Sequence, residues 1–158
     1  MRTNIIGIDP GLHGGIAILV FDGDPNIPIY VHDMPSTYPD LWNLLSDIKA
    51  MFWPVSCILE DVGNGIPGQS SKATATFARH NGHLEMALYA LGIPTEKVTP
   101  AKWMKSYSNQ IGTSKGLSKT EWKNKLKGLA QRLYPSVKVT LNTSDAILIA
   151  HYGKQNNI

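Results

Sequence analysis

The sequence predicts an α/β fold: a mixed five-stranded sheet, built from a three-strand antiparallel meander plus two parallel strands, with helices on both faces. Three observations predict it. Two short apolar runs, Ile5 to Ile8 and Cys57 to Leu59, each end in an acid, Asp9 and Glu60. Apolar residues at helical spacing fill the stretch before the second run. Turn residues, not helices, join the first three apolar runs.

Residues 3 to 9 read as a buried strand, and Pro10-Gly11-Leu12-His13-Gly14-Gly15 turns the chain into a second, Ile16 to Phe21. Asp22-Gly23-Asp24-Pro25 leads to a third, Ile29 to Asp33, which completes the meander. Ser36 or Thr37 caps a helix with Pro39 near its first position. Leu41, Leu44, Leu45, Ile48 and Phe52 give that helix one apolar face, and Pro54 ends it. Val55 to Glu60 is too short and too apolar for an amphipathic helix; as a strand after a helical crossover it runs parallel to the first. Asp9 and Glu60 then share one sheet edge.

Asp61 to Ser71 is a glycine-rich loop leaving that edge, the place where α/β sheets carry ligands. A second helix covers Lys72 to Leu91, Gly92 and Pro94 stop it, and Thr95 to Val98 supplies the fifth strand. Thr99-Pro100 opens a short basic helix containing Trp103, after which Ser106 to Leu117 is polar and reads as a mobile connection. Ser118-Lys-Thr-Glu121 is a capping box for a helix running through Trp122, Leu126, Leu129 and Leu133 to Pro135. The last helix begins at Asn142 or Thr143 and ends near Gly153, with Asp145 in its first turn.

A chain of 158 residues, 42% apolar and 17% charged, suits a single domain spanning 1–158. The lone cysteine, Cys57, forms no internal disulfide and suits a reducing compartment. The longest apolar run, Ile16 to Phe21, is too short to span a bilayer, and the first strand follows no export signal. A cytoplasmic protein without a membrane partner is expected.

Charge is divided unevenly. Between Lys97 and Lys138 ten cations face Glu121 alone, a net +9 within a total of +3, so the remainder sums to −6. A basic half beside an acidic half suits a protein that holds a polyanion against bound cations, nucleic acid above all. The plain alternative is a solvated lysine-rich helix.

If the two acid-ended strands are neighbours, about 4.8 Å apart, and the last helix starts over their ends, Asp9, Glu60 and Asp145 converge. Converged carboxylates repel unless protonated or bridged, so a divalent metal site is the expectation. Each acid also has a plain reading: Asp145 satisfies free helix amides, and Asp9 is a turn residue before Pro-Gly. Glu60 at the end of a buried strand needs a partner. Asp61 points to the opposite sheet face by strand alternation. Trp103, Trp122, Phe77 and Tyr89 fall on apolar helical stripes and fit a core or helix interface. His83 reads as a packed or interface histidine, and His13 touches a phosphate or nothing.

The element order is that of the ribonuclease H-like fold. With Gly7-Ile8-Asp9-Pro10-Gly11, Ile58-Leu59-Glu60 and Ser144 to Ala150 in place, the chain resembles the RuvC-type Holliday junction resolvases. It is most similar to the short forms of phages and organelles, through the Pro-Gly loop after the glutamate, Gly82-His83-Leu84-Glu85 and the Thr99 to Trp103 stretch. The resemblance implies a structure-selective endodeoxyribonuclease that resolves four-way and other branched DNA, with Asp9, Glu60 and Asp145 binding two Mg²⁺ or Mn²⁺ ions. It places Lys102, Lys105 and Lys119 against phosphate, with Lys115 and Lys123 in the same basic segment. Asn64, Ile66 and Gln69 in the loop after Glu60 are the residues expected to reach the junction centre. A homodimer is implied, with the small face of the second helix (Ala73, Ala75, Ala78, Gly82, Ala87) as its contact, and a bacterial or phage-infected cell as its location.

One departure from the family pattern is Asn142, which stands where a fourth acid or histidine is usual. It offers a neutral amide oxygen and is expected to be a weak metal ligand, relieved or not by His13 or His151. Three other functions compete: a branched-DNA-binding protein with attenuated catalysis, a related nuclease acting on forks or RNA, and an actin-like or sugar-kinase ATPase. The last needs two such domains around a nucleotide; one domain is expected here, and hence no nucleotide cofactor.

Overall fold

The computed structural model describes residues 3–21, 28–63 and 68–158. Strands β1 (Asn4–Asp9), β2 (Gly15–Leu19) and β3 (Ile29–Asp33) come first, then α1 (Tyr38–Phe52), β4 (Val55–Glu60), α2 (Ser71–Ala90) and β5 (Thr95–Val98). Four helices follow: α3 (Pro100–Lys105), α4 (Ser108–Ile111), α5 (Lys119–Leu133) and α6 (Ser144–Gln155). The sheet order is β3-β2-β1-β4-β5. β1 pairs antiparallel with β2 and β2 with β3, whereas β1–β4 and β4–β5 are parallel. The predicted mixed sheet is present.

Strand alternation divides the interior into two cores. Ile6 and Ile8 of β1, with Val55, Cys57 and Leu59 of β4, pack under α1 and α2 against Leu41, Leu45, Leu84 and Leu88. Ile5 of β1 and Ile58 of β4 face the other way, where α6 lies with Trp103, Tyr107, Leu126 and Leu129 around it. Helices therefore cover both faces. α6 is apolar on nearly every side because the sheet lies beneath it and α5 beside it; Ser144 to Ala150 are all buried.

Caps set most helix boundaries. Thr37 accepts from the amide of Asp40 at the start of α1, and Ser70 from that of Ala73 at the start of α2. Ser118 and Glu121 make the reciprocal capping box of α5. α6 begins one or two residues later than the sequence suggests, because the Thr143 hydroxyl is engaged with the amide and hydroxyl of Thr140 and caps nothing.

Two expectations are corrected. The stretch from Ser106 to Leu117 is not simply a polar connection: it contains α4, and Tyr107 is fully buried, its hydroxyl donating to the carbonyl of Leu148 at 2.6 Å. A buried phenol with a backbone partner anchors the segment to α6. Tyr89 is 81% exposed, not part of a core or helix interface within the chain, since the apolar stripe of α2 runs through His80, Leu84 and Leu88. Trp122 and Phe77 are half-buried and Trp103 is wholly buried, as expected. Among the described residues, no helix is long and apolar enough to cross a membrane.

α6 can lie on the sheet because β1 offers no side chain there. A β-carbon at Gly7 would stand 2.3 Å from the carbonyl oxygen of Ala146 and 2.4 Å from the amide nitrogen of Ala150. Backbone atoms cannot yield cheaply. Gly7→Ala is expected to destabilise the protein by about 3 kcal/mol, read as a lowered urea midpoint; an unchanged midpoint would contradict the close approach.

Candidate active site

The same alternation that places Ile5 and Gly7 beneath α6 places Asp9 there, and on β4 it places Glu60 on the face of Ile58. The parallel register pairs Ile8 with Leu59, so the next residue of each strand, Asp9 and Glu60, stand side by side at the carboxyl end of the sheet. β2 completes the approach: Gly15 pairs with Asp9, and a β-carbon there would lie 2.7 Å from the carbonyl oxygen of Asn142. The turn before α6 thus rests on the Asp9 end of the sheet, and Asp145 follows in the first turn of the helix.

Three carboxyl groups from separate parts of the chain therefore act on one another. Glu60 is 7% exposed and Asp145 2%. Burial raises the Asp9 carboxyl well above its ordinary value, and the charges of Asp145 and Glu60 add to this. The side-chain contact between Asp9 and Glu60 raises Asp9 further and opposes the rise at Glu60. Glu60 is itself raised, by burial first; an indole hydrogen bond from Trp103 opposes that, and the Asp145 charge adds to it.

Two further side chains complete the cluster. Trp103 Nε1 donates to Glu60 Oε1 at 2.7 Å, both groups buried. Lys123 Nζ ion-pairs with Asp145 Oδ2. Burial pulls the Lys123 ammonium down, but the charges of Asp145, Asp9 and Glu60 outweigh it and hold the amine protonated. An ammonium is thus seated among the acids.

As they stand, with Lys123 on Asp145, no group of three or more acids, histidines or cysteines among the described residues forms a ready cation cage. The donor chemistry nonetheless fits a divalent cation. All three groups are hard oxygen donors, their mutual repulsion favours a positive charge, and one cation is already held there.

The other predicted residues are placed as follows. Asn142 is half-buried in the turn three residues before Asp145, at the Gly15 end of β2. Lys102 and Lys105 are exposed on α3, Lys115 in the turn before α5, and Lys119 on the first turn of α5. Of the lysines named from sequence, Lys123 is the one ion-paired to the acids among the described residues. Gln69 is exposed just before the α2 cap and lines a cavity of about 500 Å³ with Gly11, Leu12, His13 and Phe77. Asn64 and Ile66 lie outside the described residues. Asp61 is exposed, and its carboxylate accepts from the amide of Gly63 at 3.2 Å. His13 is exposed; His83 packs its ring edge-on to Tyr38 with centroids 3.9 Å apart, as a packed histidine. Ala73, Ala75, Ala78 and Gly82 are exposed on α2, but Ala87 packs against the α1–α2 core and leaves that set.

Sequence reasoning missed the indole contact to Glu60. A fully buried indole must find an acceptor for its N–H, and Glu60 was the buried acid in need of a partner. It also gave Lys123 no distinction within the basic segment, although Lys123 precedes the buried Leu126 by three residues and so shares its side of α5.

No protein-family model matches the chain, and no curated protein sequence matches it. Solved structures do match. The structure of Thermus thermophilus RuvC in complex with a Holliday junction substrate superposes with a TM-score of 0.71 over 97% of this chain and 93% of that one, at 13% identity. This chain has a RuvC-like fold. A second Thermus thermophilus RuvC structure gives a TM-score of 0.59 at 14% identity over 98% and 96% of the two chains. The yeast mitochondrial Holliday junction resolvase Ydc2 gives 0.58 at 15% identity, covering 99% of this chain and 79% of Ydc2. The RuvC-like fold agrees with the ribonuclease H-like sheet expected from sequence.

A carboxyl raised above its unfolded value favours the folded state while protonated and opposes it once ionised. The contribution of Asp9 is therefore complete below the unfolded value near 3.9 and lost as pH rises through the raised folded value. Asparagine imitates the protonated form. In chelator, Asp9→Asn is expected to raise the thermal midpoint at pH 8 by about 3 °C, with the gain vanishing toward pH 4; a difference independent of pH would contradict the repulsion.

Proposed function

We infer that the protein is a metal-dependent endonuclease that resolves four-way DNA junctions, acting as a homodimer. The observation that carries this reading is the set of Asp9, Glu60 and Asp145 at the carboxyl end of a RuvC-like sheet, Asp9 half-buried and the other two buried, with a lysine ammonium seated in it. Junction DNA is the substrate in the Thermus RuvC complex, and the basic half of this chain suits the same polyanion.

In this reading Asp9, Glu60 and Asp145 hold one or two Mg²⁺ or Mn²⁺ ions, with Asn142 as a weak neutral ligand. Such ions supply the Lewis acidity that phosphodiester hydrolysis requires. Trp103 fixes the Glu60 carboxylate in one orientation, and the buried walls of β1, β4 and α6 keep competing water away. Lys102, Lys105, Lys115 and Lys119 are exposed and in this reading hold backbone phosphates, with Gln69 beside the cavity at the α2 start. The exposed residues Ala75, Ala78, Gly82, Met86 and Tyr89 recur on one side of α2 and suit contact with a second copy, which a substrate with two equivalent strands requires.

Incubation of the protein with a labelled four-way junction or a matching linear duplex, in Mg²⁺ or Mn²⁺, tests the reading. Paired nicks in the junction alone are expected. Asp9→Asn is expected to abolish cleavage, by at least about 10³-fold, while junction binding persists. Equal cleavage of linear duplex would defeat the assignment. Binding without cleavage in either metal would favour the branched-DNA-binding alternative, which Asn142 motivates.

Asn142→Asp restores a negative charge three residues before Asp145 and is expected to lower the Mg²⁺ concentration at half-maximal cleavage. Equal midpoints for the two proteins would remove any role for Asn142 in holding metal.

A further inference from the structure

We propose that Lys123 is a resident counter-ion that competes with the divalent cation, so that metal loads only as this ammonium leaves Asp145. The inference rests on the metal reading of Asp9, Glu60 and Asp145.

Lys123 is set apart from the other lysines of the basic half by its placement. The capping box of Ser118 and Glu121 fixes the first turn of α5, and Lys123 lies just beyond it, on the side of the helix that carries Leu126 into the core. Its side chain is 34% exposed, whereas Lys102, Lys105, Lys115 and Lys119 project from exposed positions. Its partner Asp145 has a side chain only 3% exposed. The ammonium occupies Oδ2 of that carboxylate and feels the charges of Asp9 and Glu60 as well.

A Mg²⁺ or Mn²⁺ ion needs carboxylate oxygens at about 2.1 Å in a strict geometry. A divalent ion on the same oxygen displaces the ammonium: at about 4 Å its repulsion of the amine exceeds the attraction that the amine gains from one carboxylate oxygen, so the lysine is the cation that leaves. Charge counting leads to the same result. With all three carboxylates counted in the ionised form that ligates a metal, the formal sum is −2 with Lys123 seated and −3 with it withdrawn. Asn142 supplies no further negative charge, so in this chain the lysine has more influence on cation affinity than it would beside a fourth acid. The released amine remains on the helix that borders the site, within the basic half, where a backbone phosphate replaces Asp145 as its partner.

Calorimetric titration with Mn²⁺, without DNA, tests this on the wild type, Lys123→Met and Lys123→Gln, each confirmed as folded by circular dichroism. Both variants are expected to bind Mn²⁺ about tenfold more tightly. A readout on the unaltered chain accompanies it: reductive methylation followed by mass spectrometry, in which the Lys123 amine is expected to react faster once Mn²⁺ saturates the site. Equal or weaker Mn²⁺ affinity in both variants, or unchanged Lys123 labelling at saturation, would overturn the proposal and leave the metal reading in place. Absence of Mn²⁺ binding in all three proteins would overturn both.

Discussion

The close approach of α6 to β1 is the constraint on which the remaining architecture depends. With no side chain at Gly7, the backbone of Ala146 and Ala150 settles against the strand, and with none at Gly15 the turn before the helix settles against β2. This contact brings Asp145 to the sheet end that carries Asp9 and Glu60, and it also makes α6 a buried helix that needs cover on its outer side. α5 and the Trp103–Tyr107 segment provide that cover and carry the basic residues with them. Packing and charge layout thus follow from a single steric permission.

The acids are held together at a cost that the surroundings offset. Buried carboxylates in mutual range are unstable unless protons, donors or cations intervene. Two of these devices are present, an indole donor on Glu60 and an ammonium on Asp145, and the raised Asp9 carboxyl reflects the burial and repulsion that they leave uncompensated. Elsewhere on the same face, burial holds His151 neutral, its proton affinity lowered to about 4, and its Nδ1 lies 2.8 Å from the Tyr134 hydroxyl. Among the described residues, the buried acids, Glu60 and Asp145, both belong to the site.

Much of this was legible in the sequence because it depends on period and punctuation. β4, β5 and α5 agree with their expected boundaries, since Pro54, Pro94 and the Ser118–Glu121 box leave little freedom. The juxtaposition of Asp9 and Glu60 follows from parallel pairing alone. What escaped depends on three-dimensional neighbours. Polar spacing around Tyr107 resembled a loose connection because its apolar partners lie on α6, some forty residues later. Tyr89 resembled a core aromatic because short windows do not say which side of α2 meets the sheet. Lys123 looked like any other cation of its helix, and its ion pair with Asp145 depends on where α5 crosses α6.

Trp103 has an optical consequence. Of the four tryptophans, Trp42 and Trp53 are substantially exposed and Trp122 is half-buried, whereas the Trp103 ring is sealed from solvent with its nitrogen on a carboxylate. The emission of a shielded indole lies to the blue of its wetted counterparts and responds to the electric field along its ring. The core thus contains an intrinsic fluorophore wired to one acid of the cluster, and its colour and intensity register any change of charge beside Glu60.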